Sequence, residues 1–270
     1  GSTADAFTVL IKDNILVLSY TQQFPSKTNE MSQRNRGKHP NDEKLFAPKV
    51  LPNLRAAISD LSFLLTKGYG EKSALQLVGN RYRLNVRQQK ALLRMSDNRE
   101  AVILRQAKVH IPAQLKGKRI EIDGFNLLIL LESAMSGAFI FEGIDGTYKD
   151  ISSVHGSYKR VTQTERAILL VGEELKKLGA EHVHWIFDAP VSNSGRLKTR
   201  LYELATAHGF NWDITLDNNP DALLAKSEGV VISTDAWILD RCAAWTNFGA
   251  HLIDSYLSKV TIIHAIENTD

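Results

Sequence analysis

Apolar positions change their rhythm near residue 117. Over residues 40–108 they recur three and four apart. Leu51, Leu54, Ala57, Ile58, Leu61, Leu64 and Leu65 make one face of an amphipathic helix that ends near Gly68-Tyr69-Gly70. Residues 73–94 predict two short helices broken at Gly79-Asn80, the second capped by Asn85, in a helix-turn-helix arrangement. After Pro112 and Gly117, short β-prone runs alternate with helical periods, the pattern of a parallel sheet. Strands are expected at 119–123, 182–188, 211–217 and 229–234, with a shorter one at 251–253. Helices are expected at 127–136, 162–177, 195–208, 221–226 and 236–243, with Thr162 and Glu165 as a capping box for the second. The fold class is therefore α/β: a basic α-helical domain over 31–116, then a parallel-sheet domain over 117–270.

Residues 1–30 have a different texture. Two β-prone pieces, Phe7-Thr8-Val9-Leu10-Ile11 and Ile15-Leu16-Val17-Leu18, precede a polar stretch. Met31 and the basic segment behind it read as a native start. That makes residues 1–30 an upstream extension, with Gly1-Ser2 as an expression scar, and it is expected to be poorly ordered. Lys12, Asp13 and Asn14 interrupt the first apolar patch and no small-residue cleavage site follows, so it makes a poor signal peptide. No apolar run approaches the roughly 20 residues that span a bilayer.

Composition adds little to the class: 43% hydrophobic and 23% charged residues suffice for a sizeable core. The lone cysteine, Cys242, lies on the apolar side of an expected helix. It excludes an intramolecular disulfide and a cysteine-cluster zinc site, and suits a reducing, cytoplasmic setting.

Charge changes the picture more. Residues 31–118 carry 18 Lys and Arg against 6 Asp and Glu, a net of +12, whereas residues 119–270 carry 13 against 21, a net of −8. A basic module joined to an acidic one suits an anionic polymer held by the first and worked on by the second; halves that merely attract one another would look the same. Arg81, Arg83, Arg87, Lys90 and Arg94 are the expected basic surface, fit for phosphates but not for reading bases.

Four expected strands end in an aspartate or meet one at once: Asp123, Asp188, Asp217 and Asp235. The carboxyl ends of parallel strands share one edge, where open α/β sheets bind ligands. Asp123, Asp188 and Asp235 would converge there, with Asp217 or Asp221 as a fourth. Two unit charges about 4 Å apart repel by roughly 1–4 kcal/mol, a cost that a divalent cation turns into binding. Oxygen-only ligands favour Mg²⁺ or Mn²⁺, and such an ion suits hydrolysis at phosphorus. The plainer reading is that Asp221 and Asp235 are helix caps.

Asp123-Gly124-Phe125-Asn126, Phe187-Asp188, Asp217 with Asp221-Ala222-Leu223-Leu224, and Ser233-Thr234-Asp235 together resemble the acidic signature of PIN-like nucleases, especially the NYN branch, over residues 118–255. The resemblance implies a Rossmann-like sheet and Asp123, Asp188, Asp221 and Asp235 as metal ligands. It also implies Asn126 as the residue orienting the turn or the substrate, and Ser233 or Thr234 touching a phosphate or a ligand carboxylate. The glutamate that many such nucleases carry after the first strand has Glu132 and Glu142 as candidates. The basic segment is similar to a helical domain of unknown function fused to such halves in uncharacterised microbial proteins.

Residues 137–160 depart from that pattern as a long insertion, expected to be a flexible loop. Its Lys149, His155, Lys159 and Arg160 are candidates for gripping a phosphate backbone, Tyr148 or Tyr158 for stacking on bases, and His155 for a general acid. Ser194 and Arg196 open a helix and could form a phosphate pocket, unless Ser194 only caps it. Trp185 and Trp237 sit in apolar contexts and are expected in the core, and His182 and His184 are expected to face solvent or a helix.

The reading is thus a Mg²⁺- or Mn²⁺-dependent nuclease acting on RNA or single-stranded nucleic acid. The alternative is a nucleic-acid-binding or regulatory protein without catalysis on the same scaffold. A haloacid-dehalogenase-type phosphatase needs a second aspartate where this chain has Phe125, and neither a Walker loop nor a Gly-x-Gly-x-x-Gly turn is present.

Overall fold

The computed structural model describes residues 8–12, 15–19, 36–37, 39–152 and 158–267. The expected start at Met31 and the candidate His155 lie outside these described residues. Residues 1–33 and 34–270 cluster as separate compact units. In the first, β1 (Thr8–Lys12) and β2 (Ile15–Ser19) pair antiparallel from Thr8↔Ser19 to Lys12↔Ile15, so the two β-prone pieces form a hairpin.

The larger unit opens with five helices: α1 (Asp42–Leu45), α2 (Leu51–Thr66), α3 (Glu71–Arg81), α4 (Val86–Met95) and α5 (Arg99–Gln106). The three-and-four spacing of α2 buries Leu54, Ala57, Ile58 and Leu61. Helix α3 runs through Gly79-Asn80 instead of breaking there. Gly79 packs against α4, where a Cβ on it would stand 2.8 Å from the Gln89 side chain. The turn comes later, with Arg83 in the left-handed region at φ 51°. Asn85 then caps α4, accepting from the Gln88 amide at 2.9 Å while Gln88 reciprocates.

The rest alternates as β3 (Arg119–Asp123), α6 (Gly124–Met135), β4 (Ile140–Glu142), β5 (Tyr148–Lys149), α7 (Thr164–Lys177), β6 (His182–Asp188), α8 (Ser194–His208), β7 (Trp212–Asp217), α9 (Pro220–Ala225), β8 (Val230–Ile232), α10 (Ala236–Arg241), β9 (Ala244–Trp245), α11 (Phe248–Tyr256) and β10 (Ile262–His264). Five strands form a parallel sheet in the order β7-β6-β3-β8-β9. Alternation along each strand sends Ile120, Ile122, Trp185 and Phe187 into a core shared with α6, α7, α8 and α11. Ile186 and Val231 point to the other face, under α9 and α10. On that second face a polar ladder crosses three strands. His184 bridges Glu121 at 2.7 Å and Thr215 at 2.8 Å, which satisfies groups the sheet would otherwise bury unpaired.

Three expectations are corrected. Residues 251–253 lie in α11, because Phe248, Leu252 and Ile253 bury one face at helical spacing. Helix α7 starts at Thr164, whose hydroxyl takes the Val161 amide at 3.0 Å and donates to Glu132 at 2.6 Å, so Thr162 and Glu165 form no capping box. The insertion is not a loose loop over its described part. Strands β4 and β5 pair antiparallel, and β10 adds in parallel, giving a second, three-stranded sheet. Its Phe141 and Ile263 pack under α2 and α4 in a second core.

One fully buried guanidinium joins these parts. Arg105 of α5 meets Asp97 at 2.8 Å, Asp145 of the β4–β5 turn at 2.8 Å and Asp240 of α10 at 2.8 Å. Burial pulls its pKa down, but Asp97 and Asp240 more than reverse this, so the net shift is upward. Nearby, the Lys108 ammonium donates to the carbonyls of Leu239, Asp240 and Cys242, closing the end of α10. Replacing Arg105 by Met leaves three carboxylates without their shared cation, so Arg105→Met should cost about 3–5 kcal/mol in urea unfolding. Arg105→Lys should recover only part, since an ammonium cannot present a planar fork to separate carboxylates.

Candidate active site

The strand order reverses at β3: β6 and β7 extend the sheet on one side, β8 and β9 on the other. The helices after β3 and β8 leave toward opposite faces, so a crevice opens between the carboxyl ends of these two strands. Asp123 ends β3, and Asp235 follows β8 by three residues, one on each side of the crevice. Asp188 ends β6 in register with Asp217 of β7. Asp221 stands in the first turn of α9.

The crevice is laced across by its own loops. The Ser233 hydroxyl donates to Asp123 Oδ2 at 2.7 Å and accepts from the Asp235 amide at 3.1 Å. Asn126 Nδ2 donates to Thr234 Oγ1 at 3.0 Å, and the Thr234 amide donates to Asn126 Oδ1 at 3.0 Å. Gly124 lets the turn after β3 close, because a Cβ there would fall 2.3 Å from the Phe187 ring. Asp235 does cap α10, its Oδ1 accepting from the Trp237 amide at 2.8 Å, but Oδ2 is not used in that bond.

The electrostatics are unbalanced. Burial pushes the Asp123 carboxyl up to about 7, with Asp221 and Asp235 adding to the rise and Ser233 and the Asn126 amide opposing it. Asp221 is raised too, by burial and then by Asp235 and Asp188. Among the described residues no Lys, Arg or His forms an ion pair with Asp123, Asp188, Asp221 or Asp235. Asp123 thus feels Asp221 and Asp235, and Asp221 feels Asp235 and Asp188, and together they offer hard oxygens of the kind that suits Mg²⁺ or Mn²⁺. Their present spacing is open: among the described residues no group of three or more His, Cys, Asp or Glu is close enough to hold a metal ion.

The family described as Domain of unknown function (DUF5616) matches residues 112–251, more than half of the chain. The chain belongs to this family. A second description, Protein of unknown function (DUF434), matches residues 53–108. Over 187 residues, 69% of the chain, it is 32% identical to an uncharacterized protein of Methanocaldococcus jannaschii, covering 89% of that protein. No solved structure matches. The DUF5616 span takes in all of the carboxylate edge, and the DUF434 span takes in α3, α4, α5 and most of α2.

Within the DUF5616 span, the edge gathers Asp123, Asp188, Asp221, Asp235, Asn126, Ser233 and Thr234. Asp217 shares the edge, but its Oδ1 is held by the Asn219 amide at 2.7 Å in a local turn. Several other candidates stand elsewhere. Lys149 is buried against Asp145 at 3.0 Å, so its charge is already neutralised. Tyr148 donates to Asp254 at 3.1 Å, and Tyr158 is fully buried on Glu132; neither offers a free ring. Glu132 also pairs with Arg36, and Glu142 with His264, so both candidate glutamates serve the scaffold. Ser194 is buried and donates to the Ala189 carbonyl at 3.3 Å, whereas Arg196, Lys159 and Arg160 are exposed, Arg160 lying 4.0 Å from Glu165.

Of the five basic residues, Arg81, Arg83 and Arg94 are exposed. Arg87 is turned inward onto Asp42 at 2.6 Å and the Gly37 carbonyl at 3.0 Å, and Lys90 onto the Ser152 carbonyl at 3.2 Å. The aromatic expectation divides: Trp185 is buried, but Trp237 is 46% exposed beneath Arg241. His182 reaches Asp213 at 3.0 Å at the rim of the sheet. Sequence alone did not mark Trp237 as accessible, although its position two residues after the edge aspartate was the available signal.

Replacing Asn126 by Ala removes its hydrogen bonds to Thr234 and leaves Ser233–Asp123 as the side-chain tie between the end of β3 and the loop after β8. Asn126→Ala should lower the unfolding free energy by about 1–3 kcal/mol, read from the urea midpoint, and Asn126→Asp should not restore it because the amide donor to Thr234 is lost.

Proposed function

We propose that this chain is a divalent-metal-dependent nuclease with a PIN-like α/β half, hydrolysing phosphodiester bonds in RNA or single-stranded nucleic acid at the edge formed by Asp123, Asp188, Asp221 and Asp235. The observation that carries the reading is this set of aspartates at the reversal of strand order with no cationic partner. The resemblance of the Asp123-Gly124-Phe125-Asn126 and Ser233-Thr234-Asp235 turns to PIN-like nucleases supports it, as does the basic charge of residues 31–118.

Asp123, Asp188, Asp221 and Asp235 would hold the ion, with Asp217 at the margin. When bound, a Mg²⁺ or Mn²⁺ ion supplies charge neutralisation at the phosphoryl oxygens and a more acidic attacking water. The chain's own groups prepare the place. Ser233 fixes one oxygen of Asp123 and leaves the other available, and the Asn126–Thr234 pair holds the two turns at a set separation. Among the described residues the Asp188 and Asp221 carboxylates have no side-chain hydrogen bond that would have to break for them to rotate inward. Thr234 remains beside the crevice as a candidate contact to phosphate.

The open spacing of the aspartates favours a second reading, in which the same edge binds nucleic acid without cutting it. One set of measurements separates the two. With Mn²⁺ the thermal midpoint should rise by several degrees, and Asp123→Asn or Asp235→Asn should abolish that rise. A labelled single-stranded RNA should be cleaved by the wild type and about 100-fold more slowly or worse by Asp123→Asn. Unchanged cleavage by Asp123→Asn would reject this site, and wild-type binding without cleavage in Mn²⁺ or Mg²⁺ would establish the second reading.

A further inference from the structure

A cleft of about 480 Å³ lies next to the carboxylate edge, between the helical segment and α10. Its lining includes Thr234 and Asp235 of the edge, Trp237 and Arg241 of α10, and Arg94 at the end of α4. Its size is that of small-molecule sites, about 300–1,000 Å³, so it admits a splayed nucleotide but not a duplex. Trp237 is the unusual feature. Of the four tryptophans, Trp185, Trp212 and Trp245 are buried, whereas Trp237 sits on the cleft wall half exposed. The Arg241 guanidinium lies 4.3 Å from its ring centroid and anchors itself by donating to the Trp237 carbonyl at 3.0 Å. The ring is thereby held against a cation on the cleft wall, with nearly half of the residue exposed.

The lining carries four acids: Asp235 of the edge, Asp97, Asp240 and the exposed Glu71, against Arg94, Lys149 and Arg241. Asp97 and Asp240 both pair with the buried Arg105, which they share with Asp145. Arg94 is exposed and, among the described residues, makes no ion pair within 4.0 Å, although its charge opposes the rise that burial gives the Asp150 carboxyl. The lining thus brings together a carboxylate of the edge, a hydroxyl, an aromatic plane and an exposed guanidinium. Those groups answer to the parts of a strand: a phosphodiester at the edge, a base on the ring, a further phosphate at the arginine.

We propose that this cleft receives unpaired nucleic acid, one base stacking on Trp237 and a neighbouring phosphate resting on Arg94, which carries the strand to the aspartates. The assignment rests on the reading of the edge as the place of phosphodiester cleavage, and it names single-stranded rather than duplex substrate. A base must leave its helix to lie on an indole, and such stacking tolerates any sequence because every base has a π-face.

Because the other three indoles are buried, quenching of tryptophan emission reports on Trp237. The full chain is titrated in EDTA with an eight-nucleotide single-stranded RNA, its duplex and adenosine monophosphate, with anisotropy of a labelled strand as the second readout. The single strand should quench and the duplex and mononucleotide should not at equal concentration. Trp237→Ala should weaken strand binding by about tenfold, with Trp237→Phe keeping most of the affinity while losing the quench. Arg94→Ala should weaken it severalfold and reduce the salt dependence by about one phosphate contact. Equal affinity of Trp237→Ala and wild type, or quenching as strong by duplex or mononucleotide, overturns the proposal. Binding without metal separates the two readings. A wild type that binds with quenching but never cleaves in Mn²⁺ removes the nuclease and leaves the cleft, whereas cleavage with Trp237→Ala binding normally removes only the cleft.

Discussion

A carboxylate taken out of water must find a counter-charge or give up its own, and the chain handles its aspartates in two opposite ways. Around Arg105 three of them share one buried guanidinium, and that junction ties α5, the β4–β5 turn and α10 together. At the edge of the main sheet four others stand at an open spacing and, among the described residues, without an ion pair, and the Asp123 carboxyl is pushed up to about 7, by burial first and by Asp221 and Asp235 after it. A folding chain gains nothing from the second arrangement, since like charges near each other cost free energy. The contrast within one molecule is what makes the edge informative: the fold can supply a buried cation where structure needs one, and does not supply it there.

The two sites are also mechanically linked. Asp240 belongs to the Arg105 junction, and it lies on the same short helix that Asp235 caps. Lys108 closes the far end of that helix, so α10 is clamped at both ends. The aspartate after β8 is therefore positioned from the helical segment as well as from the sheet. Ser233 and the Asn126–Thr234 pair complete the frame from the β3 side, which leaves side-chain rotation as the main freedom of the edge.

Much of this was legible in the sequence, for reasons that differ by element. Strands 119–123 and 182–188 were readable because each alternates polar residues with β-prone apolar ones and closes on an aspartate, and the same feature exposed the aspartates of the edge. The run at 251–253 was ambiguous because three residues cannot distinguish a strand from a turn of helix. Strands β4 and β5 are short, and β4 completes its sheet with β10, more than a hundred residues later, so local pattern could not reveal them. Arg105 was invisible for a related reason. Its partners are at 97, 145 and 240, and a lone arginine in an amphipathic helix reads as a solvated charge. Between Asp217 and Asp221 the choice depended on the Asn219 amide, which captures the first and is a property of the turn rather than of the spacing.

The division of the chain into a helical part and an α/β part follows composition and the two family matches, yet their packing is shared. The core beneath α2 and α4 includes Phe141 of β4, Ile151 and Ile263 of β10, so the apolar face of the helices is covered by chain from the far half. At the seam, the His110 amide donates to the Trp245 carbonyl at 2.7 Å and Val109 bridges Trp245 in parallel, so the linker after α5 extends the edge of the main sheet. The Trp245 indole donates in turn to the Arg105 carbonyl at 2.8 Å. Cutting between the two matched spans would uncover Leu54, Ile58 and Leu92 together with the Arg105 junction. It would also take one wall from the cleft beside the aspartates. The helical segment is thus better understood as a covering grown onto the second sheet, and its basic residues are held in a fixed relation to the carboxylate edge.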